Sequence, residues 1–322
     1  MPLSIRGGAN ALGGSEDKEF FIRKMLARAI PKQHHAKFGN KDYVPARSGQ
    51  SVEWRRFSSF TTSTTALTEG TFGAETIPTV VSVTATLNQY GMYYRQTDIA
   101  EKQSVDDLRA EGAEALGEAM GDSYDLLTRN IMRGTTTIQY ASSAASRGAV
   151  GSGMRLNAAE LREALATLKT NNAEPFEDGG YKAIIHPRTE ADLFNDPTIL
   201  NALQQAGVRG GDNPLFKGSL GRYLGCDFYT TSSASIQANT GLSVGTAADV
   251  YQTLVFGKDA YGVVELSAFS SDLIYHPVGS AGANDPLNQL SSQGYKFSHS
   301  AAILNNSWIV SIEHTTSLGT DG

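Results

Sequence analysis

The sequence holds a single cysteine, Cys226, in 322 residues. A lone thiol excludes an intrachain disulfide framework and any cysteine-rich zinc site. No stretch approaches 18 uninterrupted apolar residues, so no membrane span is expected. The opening MPLSIRGGANALGG has no apolar centre, so no secretory signal is expected either. Charge is scarce: Asp, Glu, Lys and Arg make up 19%, and 33 acids against 27 bases leave a net charge of −6. Nonspecific nucleic-acid affinity comes from neutralising phosphates with Lys and Arg, so a general phosphate-backbone binder is excluded. There is no HExxH, GxSxG elbow, Walker loop or dinucleotide fingerprint. These absences describe a soluble protein of a reducing cytoplasm, with no catalytic constellation, no metal site and no cofactor.

What is present is enough for one large or two ordinary domains, with 40% hydrophobic residues. The 33 glycines exceed the usual share of about 7% and cluster with Ser and Thr in loops. The strongest periodic signal runs from Ser104 to Arg133. Val105, Leu108, Gly112, Leu116, Met120, Tyr124, Leu127 and Ile131 recur three or four apart, which predicts an amphipathic helix on the order of 45 Å long. Ser104 is its expected cap, with Asp107 as the partner of a capping box and Gly134 as a left-handed stop. Gly112, Gly117 and Gly121 each cost roughly 1 kcal/mol relative to alanine inside a helix. Something must therefore pack closely against them.

Before this helix the chain is thinner. Residues 1–14 are glycine-rich. Ser15 is the expected cap of a short helix that Pro31 stops, with Phe21, Ile22, Met25, Leu26 and Ala29 on its apolar stripe and Arg23, Lys24 and Arg28 around it. Such a helix is marginal alone and needs a surface, on the chain's own long helix or on another copy. From Gln50, SVEWRRF and PTVVSVTATL alternate with period two, separated by a long Ser/Thr/Gly run. Two strands joined by so long a tip describe a projecting arm, on which Trp54 and Phe57 want a partner surface.

After the long helix, TTTIQYASSAASRGAVGSGM reads as a domain boundary. Asn157 then caps a helix with Glu160 completing a capping box; YKAIIHP is a short buried strand; Pro187 and Asp196-Pro197 open two further helices. LGCDFYTT is a strand, DVYQTLVFGKDAYGVVEL a strand and turn, and the last stretch a terminal strand pair broken at Asn305-Asn306. The class is α+β, without repeats. Of the six histidines, His34-His35 read as a solvated polar turn and His186 as structural; Cys226 reads as a packed thiol and Gly210 to Pro214 as a flexible loop.

Several stretches together resemble the major capsid proteins of tailed phages, in the family typified by coliphage N-four. They are AKFG, GQSVEWRRF, ALTEG, VTATLNQYGMYYRQTDIAE, the long helix, YKAIIHP, DVYQTLVFGKDAYG and DPLNQLSSQGYKFSHSAAILNNSWIVSIE, in that order. The resemblance implies the Hong Kong 97-type capsid fold: an N-terminal arm (1–48), an extended β-loop (49–80), a peripheral domain (81–153 and 266–322, with spine helix 104–133) and an axial domain (154–265). It implies a non-enzymatic subunit that assembles into hexamers and pentamers of an icosahedral shell around double-stranded DNA, packaged without sequence specificity. The expected location is the virion capsid, built in the bacterial host cytoplasm. Expected partners are a separate scaffolding protein, a portal protein and a decoration protein. Expected subunit-interface residues are Phe21, Ile22, Met25 and Leu26 on the arm, and Trp54, Arg55, Arg56, Phe57 and Glu69 on the loop. A cellular nanocompartment shell of the same fold is the alternative, and a phage tail or adhesin protein a more distant one.

The phage that names the fold locks its shell by an isopeptide bond from a loop lysine to a neighbour's asparagine. Here Ser48 to Val81 contains no lysine, and the loop cations are Arg55 and Arg56. A guanidinium stays protonated and cannot act as that nucleophile. The resemblance therefore implies a shell held by noncovalent contacts.

Overall fold

The computed structural model describes residues 22, 25–29, 32–44, 49–58, 60, 62–64, 66, 69–70, 75–105, 107–205, 221–241, 248–266, 272–280 and 285–318. Ser15, Phe21, Pro31 and the loop from Gly210 to Pro214 lie outside them. Two large sheets and one small sheet form the β structure of the described residues. The first large sheet contains β1 (Asn40–Val44), β4 (Asn88–Thr97), β11 (Tyr261–Leu266), β12 (Asp272–His276) and β13 (Leu290–Ile303). The 14-residue β13 is its axis, pairing with β4 and β12 along its first part and with β11 near its end. The second contains β5 (Ile138–Tyr140), β6 (Tyr181–Ile185), β7 (Arg222–Tyr223), β8 (Cys226–Thr230), β9 (Ile236–Gly241), β10 (Ala248–Phe256) and β14 (Ile309–His314). The third is the hairpin of β2 (Ser51–Phe57) and β3 (Val80–Thr86).

The middle of the second sheet separates two cores. Ala183, Ile185, Val255, Val310 and Ile312 face the helix α4 (Ala158–Thr170), through Leu161, Leu165 and Leu168. Ile184, Leu254 and Phe256, from the opposite face, join the core under the long helix. Both faces being covered, every residue of β6 is buried, Lys182 included.

The long helix is shorter than its periodicity predicts. One helix, α2 (Asp98–Gln103), ends where the long one was expected to begin, and Ser104 closes it by donating its N–H to Ala100 O at 3.0 Å. The spine helix α3 runs Leu108–Met132, capped by Asp107, whose Oδ1 accepts from Arg109 N and Ala110 N at 3.2 Å each. Thr97 caps α2 in the same way. Two side-chain caps ten residues apart break the expected continuous stripe, and Val105 between them is fully exposed. Nor does Gly134 act as a left-handed stop: Arg133 ends α3 in right-handed geometry, and the Gly134 N–H donates to Ile131 O at 3.0 Å in a tight last turn.

Two further expectations change. Asn157 caps α4, accepting from Ala159 N and Glu160 N, but Glu160 does not close a capping box. Its carboxylate turns to Ser142 N and Gln139 Nε2, both at 2.7 Å, which ties the turn-rich stretch after α3 to α4. The terminal strands are present but do not form a pair. Asn305 caps a 3-10 turn (Asn306–Trp308), after which β14 leaves β13's sheet and pairs with β10. His186 and Asp196 do open helices, α5 (Pro187–Phe194) and α6 (Pro197–Gln205), by accepting backbone N–H groups.

Candidate assembly surface

Three segments project from or wrap around this body. The first is α1 (residues 25–29; Ile22 is also helical). Met25 and Ala29 are fully buried and share a core cluster with Leu116 and Met120 of α3, and Ile22 and Leu26 pack half-exposed against the same cluster. A Cβ on Gly117 would stand 2.3 Å from Met25 O, and one on Gly121 2.5 Å from Ala29 O. Two of the three costly glycines are therefore the seat of α1, where backbone meets backbone. The third, Gly112, makes room for the Tyr94 hydroxyl. Ion pairs line the seat: Arg28 to Glu114 at 3.1 Å, and Lys32 to Glu118 at 2.8 Å and Asp122 at 3.8 Å. The Lys32 hydrogen bond holds the Glu118 carboxyl below its ordinary range.

Beyond Lys32 the chain enters the body. The expected solvated turn is wrong for His35, which is fully buried. Asp125, in the middle of α3, accepts from His35 N at 2.6 Å and Ala36 N at 3.4 Å, and pairs with His35 Nδ1 at 2.7 Å. The Tyr261 hydroxyl donates to His35 O. A buried carboxylate thus caps the 3-10 turn Ala36–Phe38 from another element, after which β1 pairs with β11 in parallel. Sequence reading missed this because the carboxylate that makes it possible lies 90 residues away.

The hairpin is the third segment. Strict pairing from Ser51↔Thr86 to Phe57↔Val80 places Val52, Trp54, Val83 and Ala85 on one face. That face seats the base of the hairpin on the body: Val52 and Trp54 pack with Val44, Ala85, Leu87 and Val264, and the Trp54 ring covers Gly262. Trp54 is therefore half-buried in its own chain rather than wholly awaiting a partner. Farther out the apolar residues are bare: Phe57 is 70% exposed, Phe60 60% and Ile77 78%. Arg55 is exposed and donates to Glu53 at 2.8 Å on its own strand; Arg56 and Glu69 are also exposed.

Elsewhere the buried polar groups serve the fold. Glu313, fully buried, takes a bidentate bond from Arg147 (2.6 and 2.8 Å) and a third bond from Gln252. Lys182 sits between Asp178 and Asp227, and burial pushes the Cys226 thiol up to about 12. His299, against Thr128 and the Tyr124 ring, and His314, against Thr253, are held down to about 4 by burial. Among the described residues no cluster of His, Cys, Asp and Glu could hold a metal, and no helix is long and apolar enough to cross a membrane.

No protein-family model matches the chain, and no curated protein matches it. Solved structures do. The chain is similar to the capsid of Ralstonia phage GP4 (TM-score 0.69, 14% identity, covering 90% of each chain). It is also similar to the capsid asymmetric unit of cyanophage Pam1 (TM-score 0.67, 16% identity, covering 91% of this chain and 93% of that one). A virus-like particle from Pyrococcus furiosus matches with TM-score 0.53 at 14% identity, over 92% of this chain and 99% of that one. At such identities the likeness is one of fold. The α+β fold of this chain is the Hong Kong 97-type capsid fold.

Proposed function

We propose that this chain is the major capsid protein of a tailed phage, of the coliphage N-four-like family. It self-assembles as pentamers and hexamers into an icosahedral shell around double-stranded DNA, and has no enzymatic role. The observation that carries this reading is reciprocal coverage: phage capsid subunits align over about nine-tenths of this chain and of themselves. Almost nothing of the chain is left over for another task. The bare apolar hairpin supports it, since an exposed set such as Phe57, Phe60 and Ile77 marks an interaction surface.

On this reading residues 1–48 are the arm, 49–80 the extended loop, 81–153 and 266–322 the peripheral domain and 154–265 the axial domain. These bounds cut across both large sheets: β5 and β14 share a sheet with β10 and β6, and β11 shares one with β13. Phe21, Ile22, Met25, Leu26, Trp54, Arg55, Arg56, Phe57 and Glu69 are the proposed subunit-interface residues. A scaffolding protein, a portal and a decoration protein are the proposed partners; the location is the virion capsid, assembled in the host cytoplasm.

Negative-stain images of the purified protein, with its scaffold, should show rings or closed shells. A monomer under every condition would sink this reading. Boiling the particles in reducing detergent should release one band near 34.4 kDa; a ladder of resistant multimers would mean covalent locking through a lysine outside the loop. The Pyrococcus furiosus particle supports one second reading, a nanocompartment shell of the same fold. Particles that enclose protein cargo and no DNA would favour it.

A further inference from the structure

In the first sheet β13 runs between β4 on one side and β12 on the other. Side chains alternate across a strand, so while Tyr94 and Phe297 enter the core under α3, their neighbours stand on the opposite face. That face is open: Tyr93 is 64% exposed, and Arg95 and His276 are exposed as well. Its relief follows from the register. In one cross-strand row Gly294 lies between Tyr93 and Ile274, and in the next Ser292 lies between Arg95 and His276. Small residues on the central strand and large ones on both flanks leave a trough of about 450 Å³ along β13. The trough cannot be filled from its floor, because a Cβ on Gly294 would stand 2.7 Å from the Tyr93 Cβ.

The charge of the trough runs against that of the chain. Arg95 marks one end, its guanidinium carbon 5.7 Å from the centre of the Tyr93 ring, and Lys296 marks the other. His276 adds a third, titratable base, and no described side chain lining the trough is acidic. Asp272 holds the register position beside Lys296. In a protein of net charge −6, a basic hollow with an aromatic wall calls for carboxylates. Arg95 can take one bidentately, and the wall between the cations can cover an aliphatic stem. A nucleic-acid duplex fits poorly, since its phosphates lie on a convex rod and so few cations neutralise too little of it. This chain's own hairpin is a poor complement too: its bare end is apolar, and Arg55 and Arg56 nearly balance Glu53, Glu69 and Glu75.

We propose that the trough between β4 and β12 is a docking site for an acidic, extended segment of a protein other than this chain. The segment lies along β13, with one carboxylate on Arg95 and another near Lys296. The site is a property of the single subunit; that it stays open on an assembled particle rests on the shell reading.

The test uses fluorescently labelled hexaglutamate as the probe and soluble full-length subunits. The peptide should bind saturably, and Arg95→Glu with Lys296→Glu should weaken it at least about tenfold at an unchanged melting temperature. Should that variant fold poorly, Arg95→Gln with Lys296→Gln removes the same charges without reversing them and should weaken binding several-fold. Tyr93→Ala should weaken it less than either pair. Raising NaCl to about 0.5 M should release the peptide, because contacts between exposed charges are screened. The site is overturned if hexaglutamate does not bind, if the charge variants bind it like the parent, or if a short DNA duplex binds more tightly through the same residues. Assembled particles supply the second arm. Binding retained on them supports a separate partner. Binding by subunits that disappears on particles means a neighbouring copy covers the trough, and overturns that partner. A failure to form particles bears on the proposed function and leaves the subunit result standing.

Discussion

Residues 32–44 and the β2–β3 hairpin both read as appendages, and they end in opposite environments. Neither has a wide apolar stripe or a core of its own. Yet His35, Ala36 and Val44 are almost fully buried, while Phe57 and Ile77 are among the barest large side chains of the described residues. The difference is the source of the backbone's hydrogen-bond partners. The first segment obtains them from elsewhere in the chain: Asp125 caps its turn, Tyr261 satisfies a carbonyl and β11 pairs with its strand. A polar segment can be buried when the body meets its polar groups. The hairpin's strands are bonded to each other alone, and only its base, through Trp54 and Val52, reaches a core. A two-stranded sheet is marginal by itself, so its outer part awaits a surface.

The largest test of this contrast is at Asp125. Replacing it by alanine leaves two backbone N–H groups and the His35 ring without their buried acceptor and should cost roughly 3–5 kcal/mol of unfolding free energy. Denaturant titration measures this; a loss under about 1 kcal/mol would show that the segment is held by other means. Acid should act next, on the body. His299 and His314 have folded values near 4 against 6.5 when free. The unfolded chain therefore takes up protons first, and their stabilising contribution is complete above pH 6.5, falls as pH drops and is gone below about 4. The loss is on the order of 3 kcal/mol for each histidine. His299→Gln should flatten the pH dependence of the melting temperature between 6.5 and 4; an unchanged slope would refute the assignment.

A smaller effect is expected at Gly117→Ala. Alanine favours the helix by about 1 kcal/mol, while the new methyl would collide with Met25 O. The global midpoint should move little, and amides of residues 25–29 should lose protection while those of 35–38 keep it. Loss of protection in both segments would show that Asp125 does not hold residues 35–38 independently of α1. The smallest effect on the subunit is expected at Phe57→Ser, within roughly 0.5 kcal/mol because the ring is exposed. Particle yield, in contrast, should drop sharply if the hairpin is an assembly surface. Normal yield would remove Phe57 from the proposed interface.

What the sequence by itself determined was whatever depends on near neighbours. Spacing of three and four marked α3, period two marked both strands of the hairpin, and the caps at Asn157 and Asp196 stood where helices open. The three glycines even announced a close approach without saying of what. Local chemistry also misled where two caps competed: Ser104 looked like a helix start because nothing nearby shows that Thr97 has already opened one and Asp107 will open the next. Only the tertiary structure decided that α1 is the occupant of Gly117 and Gly121, that His35 is buried, and that β13 and β14 part into different sheets. Each of these joins residues 80 or more positions apart or depends on which sheet has a free edge. A one-dimensional pattern records the faces of an element but not the partner each face meets. That partner is selected when the whole chain buries its apolar surface and leaves few buried polar groups unpaired.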